Sequence, residues 1–411
     1  MNARLNRLNR LNTSTRLSKL KQLYKTTSLF AIALVLSVTS LTALISPQAN
    51  ATTLPNVVAD PEFNVGSGFN DGLYNTIVQT DGKILVGGYD FTSYDGTTAN
   101  RIIRLNTNGT VDSSFVSGTG FNGGVSGISV QDNGKIIVAG DFTSYNGTVA
   151  NRIIRLNIDG TVDSSFVSGT GFNFSVYNPT IQPDGKIILA GDFTSYNGTV
   201  ANRIIRLNID GTVDSSFVSG LGFDVFTFGI YLQTDGKILI GGHFTSYNNN
   251  IAKYFTRLNS NGTLDVSFNN NLGTGFNAQV AVMHQLPDGK ILAGGGFTSL
   301  NGTTQNYLIR LNSDGTKDNS FDIGSGFNDG LYGEVMAIQP DGKLLIGGYF
   351  TTYQGVNHNR LIRLQLTPDR DQDGLDDSIE DTVSNNGDAN NDSILDSNQN
   401  NVSSFINPIT N

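Results

Sequence analysis

The chain has 411 residues, of which 38% are apolar, 48 are glycine and none is cysteine. Without cysteine, disulfides, thiolate metal sites, cysteine nucleophiles and a lipoprotein anchor are all excluded. The sequence has 26 basic and 35 acidic residues, a formal net charge of −9. Because nucleic acids and anionic membranes attract basic proteins, neither is an expected partner of this acidic chain.

Residues 1–51 have the pattern of a secretory signal peptide. Seven basic and no acidic residues precede the apolar run Leu29–Leu44, and Ala49-Asn50-Ala51 offers a cleavage site. An uncleaved anchor is the alternative, although the run is short for a membrane span. Cleavage leaves 19 basic residues (26 minus seven) against 35 acidic ones, a net charge of −16. We therefore expect an extracellular or cell-surface protein, without membrane insertion after cleavage and monomeric.

One set of motifs recurs six times between residues 52 and 366. The glycine of its Gly-Lys pair recurs at spacings of 52, 51, 51, 53 and 53 residues. These glycines are Gly82, Gly134, Gly185, Gly236, Gly289 and Gly342. A fixed period of this size indicates stacked or radial units, each too small to bury its own apolar face.

Each unit predicts four short antiparallel strands. In the clearest copy these strands cover Ser175–Gln182, Lys186–Gly191, Arg203–Asn208 and Thr212–Phe217. Asp184-Gly185 and Asp210-Gly211 predict tight hairpins in which both central residues have positive φ. No helical periodicity competes with the strands. Four antiparallel strands in about 50 residues are typical of a propeller blade.

The two ends of the array predict a closed ring. A lone copy of the fourth-strand motif, Asp60–Phe63, precedes the first unit, whereas the last unit stops after its third strand, Arg360–Leu366. Pairing these segments leaves no orphan sheet edge, whereas the alternative, an open solenoid, normally needs distinct caps. The prediction is therefore an all-β, six-bladed β-propeller of four-stranded blades over residues 52–366, closed by an N-terminal strand.

The repeated motifs resemble the delta-60 repeat family of bacterial β-propeller proteins. The resemblance rests on Gly-Phe-Asn, Gln-Pro-Asp-Gly-Lys, Gly-Gly-x-Phe-Thr, Asn-Gly, Arg-Ile-Ile-Arg-Leu-Asn and Asp-Gly-Thr-x-Asp-x-Ser-Phe, and it covers about residues 60–366. It implies a surface or secreted propeller without a generally assigned activity. The fifth unit departs from the pattern, because Leu286 replaces the glutamine.

The stretch after Gly-Phe-Asn varies most between units, and it carries aromatic residues where the innermost strand begins. We predict that this end binds a surface ligand, a glycan or a protein, near the axis, although neutral drift of loops is the alternative. The candidate ligand-binding residues are Tyr74, Tyr177, Phe226, Phe228 and Tyr332.

No catalytic constellation stands out in the sequence. The three histidines, His243, His284 and His358, belong to different units and lack metal-ligand spacing. The third-strand arginines recur once per unit, which predicts a structural role as partners of the Asp-x-x-Phe acids. The expected function is non-catalytic adhesion or ligand binding. The alternatives are a secreted polysaccharide hydrolase or lyase with an axial acid or histidine site, and a purely structural display module.

The tail predicts Ca²⁺ as the cofactor. The segment from Asp369 to Glu380 fits Asp-x-Asp-x-Asp-Gly-x₅-Glu in full, and its loop resembles thrombospondin type 3 or dockerin-like loops. A second loop has Ser393 in place of glycine and Gln399 in place of glutamate, which predicts weaker binding. Residues 367–400 are a predicted calcium-stiffened spacer, for which an acidic disordered linker is the alternative. Residues 401–411 are the start of a further segment or a truncated end. The expected ligands are Asp369, Asp371, Asp373, Leu375 (carbonyl), Asp377, Glu380, Asp388, Asn390, Asp392 and Asp396.

Overall fold

A computed structural model describes residues 62–332, 336–339 and 342–366 of the chain. The predicted signal peptide, Asp60 of the closing strand and both calcium loops lie outside these residues. The described part contains six sequential units, one for each copy of the repeat, and they are numbered one to six in chain order. Strands dominate it, as the repeat predicts.

Each unit contains a three-stranded antiparallel sheet in which the second strand lies between the first and the third. The first strands are Leu73–Val78, Val125–Val130, Thr180–Ile181, Thr227–Leu232, Val280–Gln285 and Met336–Ile338. The second strands are Ile84–Gly88, Ile136–Gly140, Ile187–Ala190, Ile238–Gly242, Ile291–Gly295 and Leu344–Gly347. The third strands are Ile102–Leu105, Ile153–Leu156, Ile204–Leu207, Phe255–Leu258, Leu308–Leu311 and Leu361–Leu364.

A two-stranded hairpin, additional to the predicted strands, connects the second and third strands of each unit. The six hairpins are Ser93–Tyr94 with Thr97–Thr98, Ser144–Tyr145 with Thr148–Val149, Ser195–Tyr196 with Thr199–Val200, Ser246–Tyr247 with Asn250–Ile251, Ser299–Leu300 with Thr303–Thr304, and Thr352–Tyr353 with Val356–Asn357. In unit three, the buried Tyr196 hydroxyl donates a hydrogen bond of 2.7 Å to the carbonyl of Gly211. The hairpin is thereby anchored to the turn that follows the third strand.

The turn geometry differs from the prediction. At Asp184-Gly185 only the glycine has positive φ (80°), and the Gly185 amide donates to the Gln182 carbonyl at 2.8 Å. This is the geometry of a longer turn that ends in a left-handed glycine. Positive φ at two successive residues occurs instead at Asn197 (47°) and Gly198 (77°). The tight turn therefore lies in the hairpin between the second and third strands, where an Asn-Gly pair provides the positive φ that both central residues need.

The predicted fourth strand is much reduced. In units one to five it is a single β-bridge, such as the bridge between Leu207 and Val213. In unit four this segment continues into an unpredicted six-residue helix, Val266–Asn271, whose N-cap Asp265 accepts a hydrogen bond from the Phe268 amide. The two extra residues of this copy, relative to unit three, fall between Phe268 and Phe276. The helical turn takes up this insertion.

Apolar side chains pack mainly between successive units. Leu85 and Ile102 of unit one form one core cluster with Phe121, Val125 and Ile136 of unit two. All five are at most 1% exposed. Burying one such side chain contributes about 1.5–3 kcal/mol, so the contact between units contributes substantially to stability. A single unit could not form this core, as its period predicts.

The outer faces of units one and six differ from the faces between units. Leu361 of unit six is 57% exposed, whereas Ile153, at the same place in unit two, is fully buried. Arg363 is also exposed, and so are Leu73 and Val78 of unit one. The two ends of the array therefore carry apolar surface of the kind that the repeat buries elsewhere.

A buried ion pair recurs in units one to five and confirms the structural role predicted for the third-strand arginines. In unit three, Arg206 Nε lies 2.7 Å from Asp214 Oδ2, and each side chain is 7% exposed. Arg206 also donates to the Ser260 carbonyl of the next unit at 2.5 Å, and its guanidinium lies over the Phe217 ring. The equivalent pairs are Arg104–Asp112, Arg155–Asp163, Arg257–Asp265 and Arg310–Asp318. Each pair thus joins the third strand of its unit to the segment that follows it, and each of these arginines also donates to a backbone carbonyl of the next unit.

Candidate functional site

Strand register divides the molecule into two faces. In unit three Ile181 pairs with Ile187, and Ile187 pairs with Leu207, so Asp184-Gly185 and Asp210-Gly211 lie at the same end of the sheet. We call this end the turn face. The opposite end, where first strands begin and second strands end, is the loop face. The predicted ligand-binding stretch therefore lies opposite the Asp-Gly turns, as expected.

The turn face repeats the same chemistry from unit to unit. Burial alone raises the pKa of Asp163, but hydrogen bonds from Lys135, Ser165 and Arg155 outweigh it and hold the pKa well below its usual value. Asp112, Asp214, Asp265 and Asp318 show the same lowering of the pKa. Carboxylates that already hold several donors in each of units one to five are framework groups and do not single out a site.

The loop face brings two variable positions together in each unit. The first is the stretch after Gly-Phe-Asn, and the second is the residue that follows the second strand. In unit three the Asp192 amide donates to the Ser175 carbonyl at 2.9 Å, and in unit four the His243 amide donates to the Phe226 carbonyl at 3.0 Å. Side chains from both positions consequently meet at the same end of the sheet.

Aromatic rings from units three and four are in contact there. The Phe228 ring centroid lies 5.1 Å from that of Phe226 and 6.3 Å from that of Tyr177. The His243 ring lies 4.7 Å from Phe226 and 5.2 Å from Phe228. Burial lowers the pKa of His243, so the imidazole is neutral near pH 7 and packs as part of the aromatic surface.

Two carboxylates adjoin these rings. Burial raises the pKa of Tyr177, and the charges of Asp192, Asp141 and Tyr74 raise it further. Burial also raises the pKa of Asp192, where the charge of Arg203 acts in the opposite direction and that of Asp141 adds to the rise. Asp141 Oδ1 is a buried atom without a hydrogen-bond partner among the described residues. We call Tyr74, Asp141, Tyr177, Asp192, Phe226, Phe228 and His243 the aromatic–acid cluster.

The structure groups the five predicted ligand-binding residues unequally. Tyr177, Phe226 and Phe228 are linked by ring contacts, and Tyr74 acts electrostatically on Tyr177. Tyr74 is 51% exposed, and its ring lies 5.2 Å from that of Tyr89. The fifth residue belongs to another group on the loop face: the Tyr332 ring lies 5.6 Å from Tyr349, and its hydroxyl is hydrogen-bonded by Gln279.

Sequence reasoning missed the acids of this cluster. Asp141 and Asp192 follow the second strand, and this position also changes between copies of the repeat. The six residues at this position are Tyr89, Asp141, Asp192, His243, Gly296 and Tyr349. Comparing the six copies at this position, in the same way as at the stretch after Gly-Phe-Asn, would have revealed them.

The described ranges lack two other kinds of site. Within them, no group of three or more histidine, aspartate or glutamate side chains is placed to hold a metal ion. No helix in the same ranges is long and apolar enough to cross a membrane. The predicted calcium ligands of the tail lie outside these ranges.

A family model described as "Domain of unknown function (DUF5122) beta-propeller" matches one segment in every unit. The matched segments are residues 79–115, 131–166, 182–217, 233–268, 286–321 and 339–367. The chain belongs to this β-propeller family. Membership accounts for the strand-rich repeat and, since the family has no assigned function, leaves activity to be argued from the loop face.

Solved structures similar to this DUF5122 chain have low sequence identity to it. A protein of unknown function from Bacteroides caccae is 15% identical over 47% of this chain and 65% of its own, with a TM-score of 0.27. The extracellular domain of a proposed one-component system from B. thetaiotaomicron is 13% identical over 72% and 36%, with a TM-score of 0.39. A gluconolactonase from Xanthomonas campestris is 13% identical over 67% and 82%, with a TM-score of 0.34. The chain thus spans less than two thirds of the two Bacteroides proteins, and no curated protein matches it.

Proposed function

We propose that the protein is an exported, six-bladed, closed propeller that binds a ligand at its loop face without transforming it. The observation that carries the proposal is the aromatic–acid cluster. Units one to four each contribute a different side chain to it, whereas the turn face repeats one framework in at least five units. A site for one ligand near an axis needs such a break in symmetry, which a purely structural ring does not.

The chemistry of the cluster favours binding over mere packing. Tyr74 presents half of its surface to solvent, and Phe226, Phe228 and Tyr177 are only partly buried. Aromatic side chains of this kind provide large contact areas at a low entropic cost and are common in binding sites. The repeat core already buries its own phenylalanines, such as Phe193 and Phe244, so these additional rings are not needed for the sheet.

Removing two rings of the cluster should strongly weaken ligand retention. We expect the double variant Tyr74→Ala/Phe228→Ala to retain ligands at least tenfold less well than the native protein on an array of bacterial polysaccharides, because central aromatic contacts dominate binding. The matched control is Tyr332→Ala/Tyr349→Ala, which removes two rings of the other group on the loop face. Equal retention by the native protein and the first double variant would place the site elsewhere.

A hydrolase or lyase acting on polysaccharide is the second candidate, and one observation favours it. Asp192 is a partly buried carboxyl whose pKa is raised, chiefly by burial, which is the property of a general acid. An enzyme should shorten any polysaccharide that the array retains, and Asp192→Asn should stop the shortening. If chromatography shows that the native protein leaves the chain length unchanged, the binding function is favoured.

We also propose that the tail is a calcium-stiffened spacer. The first loop, Asp369 to Glu380, has the oxygen ligands and the glycine that a calcium loop needs. Calorimetric titration of Ca²⁺ into residues 52–411 should show binding with a dissociation constant of about 10⁻⁴–10⁻³ M, as in extracellular modules. The same chain cut after Leu366 should show none. Binding that survives the cut would move calcium into the propeller.

A further inference from the structure

A cavity of about 290 Å³ lies at the outer edge of unit five. It opens between the hairpin of that unit and the segment that follows its third strand, and its lining includes Gln305, Lys317, Phe321 and Asp322. Lys317 forms a β-bridge with Leu311 of the third strand, so the cavity lies beyond that strand, away from the first strand of the sheet. It shares no residue with the aromatic–acid cluster, which belongs to units one to four.

The lining of this cavity departs from the other copies of the repeat. Gln305 takes the place of a buried alanine of units one to four, and Lys317 takes the place of a valine or leucine. Asp322 replaces a valine of units one to three. The residues replaced are Ala99, Ala150, Ala201 and Ala252, then Val111, Val162, Val213 and Leu264, and then Val116, Val167 and Val218. Polar side chains where the repeat has apolar ones indicate a local function, because the framework folds without them.

The polar groups of the cavity have unused hydrogen-bonding capacity. The Gln305 side chain is buried, and its Nε2 donates to the Leu308 carbonyl at 2.6 Å, whereas its Oε1 has no donor among the described residues. Asp322 Oδ1 accepts from the Gly324 amide at 2.9 Å. The amine of Lys317 forms no ion pair within the same part of the chain. The cavity therefore offers a donor and acceptors, and charges of both signs, for a ligand.

Phe321 adds an aromatic surface to these polar groups. The equivalent phenylalanines of units one to four are at most 9% exposed, whereas Phe321 is only partly buried. The Arg310 guanidinium lies over one face of the Phe321 ring, 4.7 Å from its centroid, and the ring also borders the cavity. An aromatic side chain beside a few polar groups is a usual lining of a small-molecule site.

We propose that this cavity binds a neutral, hydroxyl-rich ring of the size of one sugar residue. A hydroxyl group both donates and accepts hydrogen bonds, so such a ligand can satisfy the Lys317 amine and the oxygens of Gln305 and Asp322 together. An apolar ligand would leave these groups without partners, at a cost in free energy. A charged ligand would meet a like charge, at Asp322 if it is an anion and at Lys317 if it is a cation.

A panel of monosaccharides tests the class of ligand in the full mature chain, residues 52–411. Glucose, galactose and mannose are compared with glucuronate and protonated glucosamine by titration followed by NMR. We expect at least one neutral hexose to bind with a dissociation constant of about 1–10 mM, as the usual binding energy per atom of a small ligand implies. Both charged sugars should bind more weakly than that hexose. Binding by no neutral hexose, or tighter binding of a charged sugar, overturns the inference.

Variants taken from the repeat itself assign the binding to the cavity. Gln305→Ala/Lys317→Val restores the residues that units one to three have at these places, so we expect it to fold normally and to bind the hexose at least tenfold more weakly. Lys186→Met is the matched control, since it removes a partly exposed lysine of unit three and should leave binding unchanged. Full binding by the cavity variant overturns the inference. So does loss of hexose binding in Tyr74→Ala/Phe228→Ala with binding kept by the cavity variant, which would place the sugar at the loop face. Polysaccharide retention by the aromatic variant tests the loop face alone, because the two sites share no residue.

Discussion

Replacing Arg206 by methionine is expected to lower the free energy of unfolding by about 3–5 kcal/mol, the cost of removing one partner from a buried ion pair. The substitution leaves Asp214 buried opposite a methyl group. It also removes the bond to the Ser260 carbonyl of the next unit and the contact with the Phe217 ring. Urea-induced unfolding, followed by circular dichroism, measures the change.

Lys186 provides the matched control for this prediction. It also contacts Asp214, at 3.2 Å, but its side chain is 29% exposed. Lys186→Met should therefore cost only about 0.2–1 kcal/mol, as for exposed ion pairs. Similar losses of unfolding free energy in the two variants would mean that the Arg206–Asp214 pair stabilises the contact between units no more than an exposed ion pair does. Adding Asp214→Asn to Arg206→Met should recover part of the loss, because it removes a buried charge that the half-exposed Lys186 alone would balance.

The sequence predicted the repeat, the three strands of each sheet and the arginine–aspartate partnership because all of them depend on local pattern and period. It misplaced features that depend on backbone geometry. Arg203, predicted as the first residue of a third strand, has a φ of 67° and lies outside it. The Asn-Gly pair of the Phe-Thr-Ser-Tyr-Asn-Gly segment is the hairpin signal that the structure bears out, whereas the Asp-Gly pairs lie in longer turns.

The candidate site could be predicted only in part. The variation after Gly-Phe-Asn located Tyr177, Phe226 and Phe228, because repeat copies that differ at one stretch indicate where symmetry is broken. Two features depend on how neighbouring sheets pack: the contact between those rings, and the presence beside them of Asp192 from the second variable position. Tyr332 has the same sequence signature as Tyr74, in Asp-Gly-Leu-Tyr, yet its described ring contact is with Tyr349. Spacing along one chain cannot distinguish these two cases.

Closure of the ring can be tested at Asp60, the predicted partner of Arg363. By the repeat, Asp60 corresponds to Asp112, which lies 2.6 Å from Arg104. If the N-terminal segment completes unit six, Asp60→Asn should destabilise the protein about as much as Asp112→Asn does. In a domain of about 300 residues, a loss of about 3–5 kcal/mol lowers the melting temperature by roughly 5–8 °C. A neutral effect of Asp60→Asn beside a large effect of Asp112→Asn would contradict closure.

Deleting residues 52–63 should make the protein associate, because the outer faces of units one and six carry exposed apolar side chains. Leu361 on unit six and Val78 on unit one belong to faces that pack against each other between neighbouring units elsewhere. The deletion variant keeps both of these faces but lacks the closing strand. Unit six of one molecule can then pack on unit one of another, a heterologous contact that builds open chains. Light scattering should therefore detect concentration-dependent association of the deletion variant and a monomer for the mature protein. A monomeric deletion variant with an unchanged melting temperature would show that these end faces need no partner.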